Sequence, residues 1–563
     1  MSAKAANRRI RLLLAVFVLG FGVVFVRAAW LQGVRAASFG RLASSQHSDE
    51  VVIPAARGTI YDRGGVQLAI GVEGQTVYAD PRRVTDPRGE ARTVASILGL
   101  NTDQVYRKLT ERTRGFVYIA RKADPALASR LARRGLPGIG FYAEERRFYP
   151  QFNLASQVLG YAGIDNRGLA GLELSLERRI AGQPGRERIV KDASGQAIDT
   201  VVSRVERDGE DVYLTLDHTI QANAQAVLRD TVSRWHAKSA TAIVLDPSTG
   251  AVLAMAVAPG FDANRYPEVW RALQRNRAVT DTYEPGSTFK LVTVAGALSD
   301  RLVSPSTRFT LPYEIQVADR RIHDAEPRGT ETMSVAQILS QSSNVGAITL
   351  AEKLTRHRLV QWISRFGFGR KTGIDFPGES AGIVLPEERW SGSSIGNIPI
   401  GQGIAVTPIQ MAAAYAAIAN RGLWVRPHLV DHVGDGGSRR AARRRIVPRW
   451  VASQVMAMLK NVVAEGTGTL AEVPGYQVAG KTGTAAKPDE HGGYSNTRYV
   501  ASFVGVVPAS RPRLVILVSV DEPRGAIWGG VVAAPAFAQI AKFDLQYLDG
   551  GVQPDAPSTA VSP

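Results

Sequence analysis

An α+β protein carried behind one apolar N-terminal helix is the fold class this sequence predicts, and three observations predict it. An uninterrupted apolar run, Leu12 to Val26, follows a basic leader. Two apolar strand-like segments, Ala240 to Leu245 and Ala251 to Ala256, precede a long stretch with helical spacing. Two more, Val500 to Val507 and Leu514 to Val520, follow it, so strands from both ends meet in one sheet with helices packed on it.

At 563 residues the chain exceeds one ordinary core. The expected divisions are a cytoplasmic N-terminus over 1–11, an anchor over 12–31, a first exported domain over 50–210, a second over 225–547 and a disordered tail over 548–563. The apolar share of 45% and charged share of 21% are those of a globular protein. A net charge of +17 favours anionic neighbours such as headgroups, wall polymers or nucleic acid. The sequence has neither zinc-finger spacing nor an aromatic-rich nucleic-acid motif, so nucleic acid is not an expected partner. It has no cysteine, which excludes disulfides, a thiolate nucleophile and cysteine metal sites.

Lys4, Arg8, Arg9 and Arg11 precede the apolar run; Arg27 interrupts it before Ala28, Ala29, Trp30 and Leu31. Arg11 and Arg27 can snorkel while Trp30 sits at the interface, which makes a single-pass anchor of a short run. A cleaved signal peptide is the competing reading, and Ala28-Ala29-Trp30 is a poor cleavage site for it. Either way the remainder is exported.

Beyond the anchor, Val51-Val52-Ile53 leads through Arg57-Gly58-Thr59-Ile60-Tyr61-Asp62-Arg63-Gly64-Gly65 to Leu68-Ala69-Ile70, read as strand, Gly-rich turn and strand. The next hundred residues mix helix and strand without a nucleophile-plus-base pattern. Gly182 to Gly209 reads as loop and hairpin, Val212 to Leu216 as a strand, and Asp217 as the start of a helix through Ile220 and Ala224. Asp246-Pro247-Ser248-Thr249-Gly250 joins the first two apolar strands as a hairpin. Helices are expected at Phe289 to Leu298, Val335 to Leu339, Val345 to Lys353 and Pro408 to Ile418, with Met411 to Ile418 as core, and the last two strands close the domain.

Three short motifs carry chemistry. In Glu284-Pro285-Gly286-Ser287-Thr288-Phe289-Lys290, Pro-Gly breaks the chain and Ser287 opens an apolar helix. Residues three apart share a helix face, so the Lys290 amine can reach the Ser287 hydroxyl. A desolvated lysine can act as base, and a helix N-terminus favours a developing oxyanion. In Ser340-Gln341-Ser342-Ser343-Asn344, between two helices, Ser342 could pass a proton from Lys290 to a leaving amine. Asn344 could bond both Lys290 and a substrate amide. In Val478-Ala479-Gly480-Lys481-Thr482-Gly483-Thr484 an apolar strand ends in a Lys and two hydroxyls suited to a carboxylate. Gly483 allows close approach, and the Thr484 N–H is a second oxyanion donor. Alone, each has a bland counterpart: a Ser cap, a helix-linking loop, an edge-strand lysine.

Lys371-Thr372-Gly373 repeats the triplet without the following Thr, after the loop-like Phe366-Gly367-Phe368-Gly369-Arg370, and reads as a decoy. His323-Asp324 reads as solvated loop, lacking a Gly-x-Ser-x-Gly elbow or a second paired His. Arg439, Arg440 and Arg443 to Arg445 form a basic run whose bland reading is a hydrated connector and whose sharper reading is contact with anionic wall or lipid.

The ordered set Ser-x-x-Lys, Ser-x-Asn, Lys-Thr-Gly-Thr resembles the signature of penicillin-binding proteins and serine β-lactamases. Over nearly its whole length the chain resembles the class B penicillin-binding proteins. Arg57 to Arg63 with Leu68-Ala69, Gly160-Tyr161-Ala162-Gly163, Gly171-Leu172-Glu173 and Asp192-Ala193-Ser194-Gly195 are similar to their pedestal. Gly401-Gln402-Gly403, Val406-Thr407-Pro408 and Gly529-Gly530 to Ala534-Pro535-Phe537 are similar to their transpeptidase domain. The resemblance implies an antiparallel sheet with helices, an elongated α/β pedestal and one transmembrane helix. It further implies a D,D-transpeptidase that acts on peptidoglycan stem peptides, is acylated by β-lactams and uses no cofactor or metal. A polytopic glycosyltransferase and division proteins are the implied partners and the septum the implied location, with elongation- and sporulation-type relatives sharing the motifs. Ser287, Lys290, Ser342 and Asn344 are the implied catalytic residues; Lys481, Thr482, Gly483 and Thr484 bind substrate and oxyanion. A carboxypeptidase or β-lactamase would deacylate with water, a penicillin-sensing receptor would need a larger cytoplasmic portion, and a division scaffold would not need intact motifs.

Overall fold

The computed structural model describes residues 3–34, 48–191, 197–438, 440–490 and 492–549. The tail expected to be disordered, the Asp192-Ala193-Ser194-Gly195 stretch and Arg439 lie outside the described residues, the tail's first two residues excepted. The chain divides into two compact units, residues 1–56 with 182–209, and residues 57–181 with 210–563.

In the first unit a helix covers Ala3–Ala29, and Asn7–Gly33 is long and apolar enough to cross a membrane, with its side chains exposed. Alanine, leucine and valine favour the helix, and no acidic residue interrupts the apolar stretch. The same unit holds a three-stranded antiparallel sheet in the order Ser48–Ile53, Gly185–Lys191, Ala197–Arg204. The segment expected as loop and hairpin thus holds an antiparallel strand pair, Gly185–Lys191 with Ala197–Arg204, whose outer partner is Ser48–Ile53.

The second unit carries two larger sheets. In the first, Gln67–Ala79 pairs antiparallel with both Val117–Ala123 and Ile139–Phe148. Ile60–Tyr61 joins it to Val212–Leu214, and that strand pairs in turn with Val430–Val433. Glu173 is the electrostatic knot of this region. Its carboxylate, fully buried, accepts from Arg57 Nε and from Arg147 Nε, each at 2.7 Å. Both guanidiniums are buried, and the two terminal nitrogens of Arg147 have no other partner. Arg57 and Glu173, far apart in sequence, therefore serve as charge partners in a low-dielectric interior.

The second sheet has five antiparallel strands in the order Val252–Ala258, Ser239–Leu245, Leu514–Asp521, Tyr494–Val507, Ala479–Pro488. The early and late apolar segments do meet, with Thr241 opposite Ser519, Ser519 opposite Ser502, and Ser502 opposite Gly483. Ser239–Leu245 and Val252–Ala258 are buried throughout, which explains their continuous apolar sequence. On one side pack His218–Arg234, N-capped by Asp217, and a terminal helix, Ala534–Asp549, that the sequence reading did not anticipate. The domain therefore closes on a helix, not on its last strand. On the other side lie the helix Lys290–Ser299, the wholly buried Pro408–Ala419 and the unanticipated Arg449–Ala464. Pro408–Ala419 starts on a capping box made by Thr407 and Gln410, a pattern legible in Thr-x-x-Gln.

Glu173→Ala leaves the buried Arg147 guanidinium without its counter-charge and Arg57 with Glu177 alone. The expected loss is about 3–5 kcal/mol of stability, read as a lowered thermal midpoint; an unchanged midpoint would show that the pairing carries no weight.

Candidate active site

The chain reaches Ser287 through a 3-10 turn, Gly286–Phe289, that runs directly into the helix Lys290–Ser299. Gly286 has φ +54°, and a Cβ there would lie 2.8 Å from the Thr484 carbonyl oxygen. A Cβ at Gly483 would in turn lie 2.8 Å from the Pro285 carbonyl. Two glycines facing each other let the Ser287 turn rest on the edge strand, which brings the first and third motifs together. The Tyr415 hydroxyl donates to the Thr288 carbonyl at 2.9 Å and fixes the turn from the core side.

The second motif arrives between the helices Val335–Ser340 and Asn344–Leu354. Ser342 has φ +60°, uncommon for a residue with a side chain and a form of local strain found at functional sites. In this conformation its carbonyl accepts from Lys290 Nζ at 2.5 Å, while its hydroxyl lies 3.3 Å from Lys290 Nζ and 2.9 Å from Lys481 Nζ. Asn344 Oδ1 accepts from Lys290 at 2.7 Å, and its amide nitrogen donates to the His323 carbonyl at 2.9 Å. Lys481 also reaches the Thr482 carbonyl at 3.3 Å and hydroxyl at 3.2 Å. The Thr482 hydroxyl is within 2.8 Å of that of Thr467, and the Thr484 hydroxyl accepts from Gly529 N–H at 3.0 Å.

Five of the eight sequence-predicted residues, Lys290, Ser342, Asn344, Lys481 and Thr482, are thus joined by hydrogen bonds; Gly483 and Thr484 continue the same strand, and Ser287 stands on the turn packed against Thr484. One expectation differs. The Ser287 hydroxyl makes no hydrogen bond to Lys290, because the amine is taken by three oxygens of Ser342 and Asn344. Such contacts are often loose before a substrate is bound. Lys481, fully buried, points at Ser342 and stands behind the threonine hydroxyls instead of presenting its charge outward.

Both amines are withdrawn from water. Burial lowers the Lys290 pKa to about 7, with the charge of Asp324 pulling it partly back. Burial, and then the neighbouring Lys290, holds Lys481 well below the ordinary lysine range. Two ammonium groups sharing one hydroxyl repel, so a neutral amine, the form a base must have, is favoured.

Asp324 corrects the sequence reading. It is buried, not part of a solvated loop, and accepts from Asn344 N at 2.5 Å, Val345 N at 3.0 Å and the Ser343 hydroxyl. Arg328 closes the other side at 2.6 Å. One carboxylate therefore caps the helix that carries Asn344 and sets the electrostatics of Lys290. His323 itself is exposed. Glu284, next to the Ser287 turn, is a second residue missed: its carboxylate accepts from Gly403 N–H at 3.0 Å and the Tyr494 hydroxyl at 3.2 Å. The second Lys-Thr-Gly triplet lies elsewhere, in a loop closed on Glu379, which accepts from Thr372 N–H and Gly373 N–H. Among the described residues Asp62, Asp217 and His218 could together hold a metal ion, but Asp62 is occupied by Gly64, Val66 and His218, and Asp217 caps a helix.

Two family descriptions match the chain: the penicillin binding protein transpeptidase domain over residues 240–542 and the penicillin-binding protein dimerisation domain over residues 52–214. The chain is 32% identical to peptidoglycan D,D-transpeptidase FtsI of Escherichia coli, across 98% of this chain and 93% of that protein. It is 34% identical to stage V sporulation protein D of Bacillus subtilis, across 96% and 86%. Among solved structures, penicillin binding protein 3 of Mycobacterium tuberculosis, complexed with aztreonam, matches with TM-score 0.71 and 31% identity over 90% of this chain and 98% of that one.

If Lys290 must be neutral to accept a proton, serine acylation rises with pH through about 7 and levels off above it. Asp324→Asn slows acylation by about 1.5–3 kcal/mol, roughly tenfold to a hundredfold, and moves the inflection to lower pH. A slowed rate with an unmoved inflection would limit Asp324 to holding the helix.

Proposed function

The chain belongs to the class B penicillin-binding proteins and is a serine-type D,D-transpeptidase, and from that premise we propose that it cross-links peptidoglycan stem peptides through a Ser287 acyl-enzyme during septal wall synthesis. The observation that carries the reading is the sharing of Ser342 by Lys290 and Lys481 beside the turn that presents Ser287 to Thr484.

In the proposed reaction Ser287 Oγ attacks the carbonyl of the D-Ala–D-Ala peptide bond, and Lys290 takes its proton. The N–H groups of Ser287 and Thr484 hold the oxyanion, each worth roughly a hundredfold or more in rate. The proton passes by way of Ser342 to the departing D-Ala amine as the C–N bond breaks. The terminal carboxylate lies against Thr482 and Thr484, where its charge restores a proton to Lys481 and lifts that amine's depressed pKa. Asn344, held by Lys290 and the His323 carbonyl, keeps an amide proton for the donor peptide. An amine from a neighbouring strand then attacks the ester; a new amide forms and Ser287 recovers its proton. Gly483 keeps the strand close enough for these contacts.

A β-lactam carries the same carbonyl and carboxylate and acylates the same serine. The apolar N-terminal helix serves as the single-pass anchor, with residues 1–11 cytoplasmic and both larger domains outside. A polytopic glycosyltransferase and division proteins are the proposed partners, engaged through anchor and pedestal. The carboxypeptidase alternative differs only in using water for deacylation.

Ser287→Ala is expected to abolish covalent labelling by a fluorescent penicillin, and undiminished labelling of that variant would end the proposal. Depletion of the protein should make cells filament; rounding would place it in elongation.

A further inference from the structure

Two features the catalytic chemistry leaves unused, the second Lys-Thr-Gly triplet and the basic run, meet at one cavity. A pocket of about 210 Å³ lies where the helix Arg356–Phe366 ends. Arg370 and Lys371 come from the loop after that helix, and Arg444 from the short strand Arg443–Arg445, which pairs with Leu423–Val425 and is no mere connector. Ser364 and Thr372 add hydroxyls to the wall, and no Asp or Glu lines it.

The cations here are not there to pair with acids. Among the described residues neither Arg365, Arg370, Lys371 nor Arg444 makes a salt bridge. Glu379, the nearby carboxylate, is taken up by Thr372 and Gly373. Arg444 lies over the Trp424 ring, 4.7 Å from its centroid, and gives one nitrogen to the Arg365 carbonyl at the helix end. Arg370 gives one nitrogen to Ser364 Oγ at 3.2 Å. Each guanidinium keeps donors free. Burial and the like charges of Arg370 and Arg365 lower the Arg444 pKa, a repulsion that a bound anion would reverse.

We propose that this cavity is an oxyanion site for a phosphate-bearing ligand, separate from the serine site. Forked guanidiniums match phosphate oxygens in pairs, and a third cation suits a group of charge near −2. A protein of net charge +17 would draw such a group from a distance. The phosphate could come from a bilayer headgroup or from a free or polymeric phosphate, and the two are separable.

The test is calorimetric titration of the full chain in neutral detergent with inorganic diphosphate. Saturable binding is expected, weakened about tenfold or more in the Arg370→Gln, Arg444→Gln double variant. It should weaken about threefold in Lys371→Gln, and not at all in a charge-matched Arg107→Gln, Arg112→Gln control. Undiminished penicillin labelling certifies that each variant is folded. In nanodiscs, weaker diphosphate binding in phosphatidylglycerol than in phosphatidylcholine assigns the site to a headgroup; equal binding assigns it to a free or polymeric phosphate. No saturable binding, equal loss in the control, or citrate binding as tightly as diphosphate would overturn the proposal.

Discussion

Two lysine amines, both sealed from water, share the hydroxyl of Ser342, and the rest of the site is arranged around that constraint. Neither amine has a carboxylate in contact; the nearest negative charge acting on Lys290 is Asp324, spent on the helix behind it. An amine in such a place loses much of the stabilisation water gives its charged form. The consequence is chemical. The Lys290 amine can be neutral near pH 7, the form a base must have, and Lys481 is held well below the ordinary lysine range.

Holding that arrangement requires backbone precision more than side-chain bulk. The Ser287 turn and the edge strand touch through glycines, the strained Ser342 supplies a carbonyl and a hydroxyl to two different amines, and Tyr415 anchors the turn to a fully buried helix. Asp324 adds the one electrostatic support reaching the site from a neighbouring hairpin. Farther away, Glu173 performs a comparable service for Arg57 and Arg147, joining residues from opposite ends of the pedestal region around one buried carboxylate.

What was legible in the sequence was local. Ser287 with Lys290, Ser342 with Asn344, and Lys481 through Thr484 could be read because each group's spacing places its side chains together on one turn or strand. The hairpin at Asp246 to Gly250 could be read for the same reason. Asp324 could not: its surroundings are polar, and only the folding of its hairpin onto the helix beginning at Asn344 makes it a buried cap. The lack of a hydrogen bond between Ser287 and Lys290 was hidden, since helix spacing says what an amine can reach and not which acceptor competes best. The terminal helix Ala534–Asp549 went unseen because small residues and scattered apolar ones mark its buried face only weakly.

The protonation of the lysine pair tests the account most directly. In the full chain, with lysine side chains carbon-labelled next to the amine, nuclear magnetic resonance would follow each amine through a pH titration, with Lys290→Ala identifying its signal. One lysine should titrate near 7 and a second below the ordinary lysine range. If every lysine titrated near the ordinary value of about 10.4, the site would hold two ordinary cations and Ser287 would lack its base.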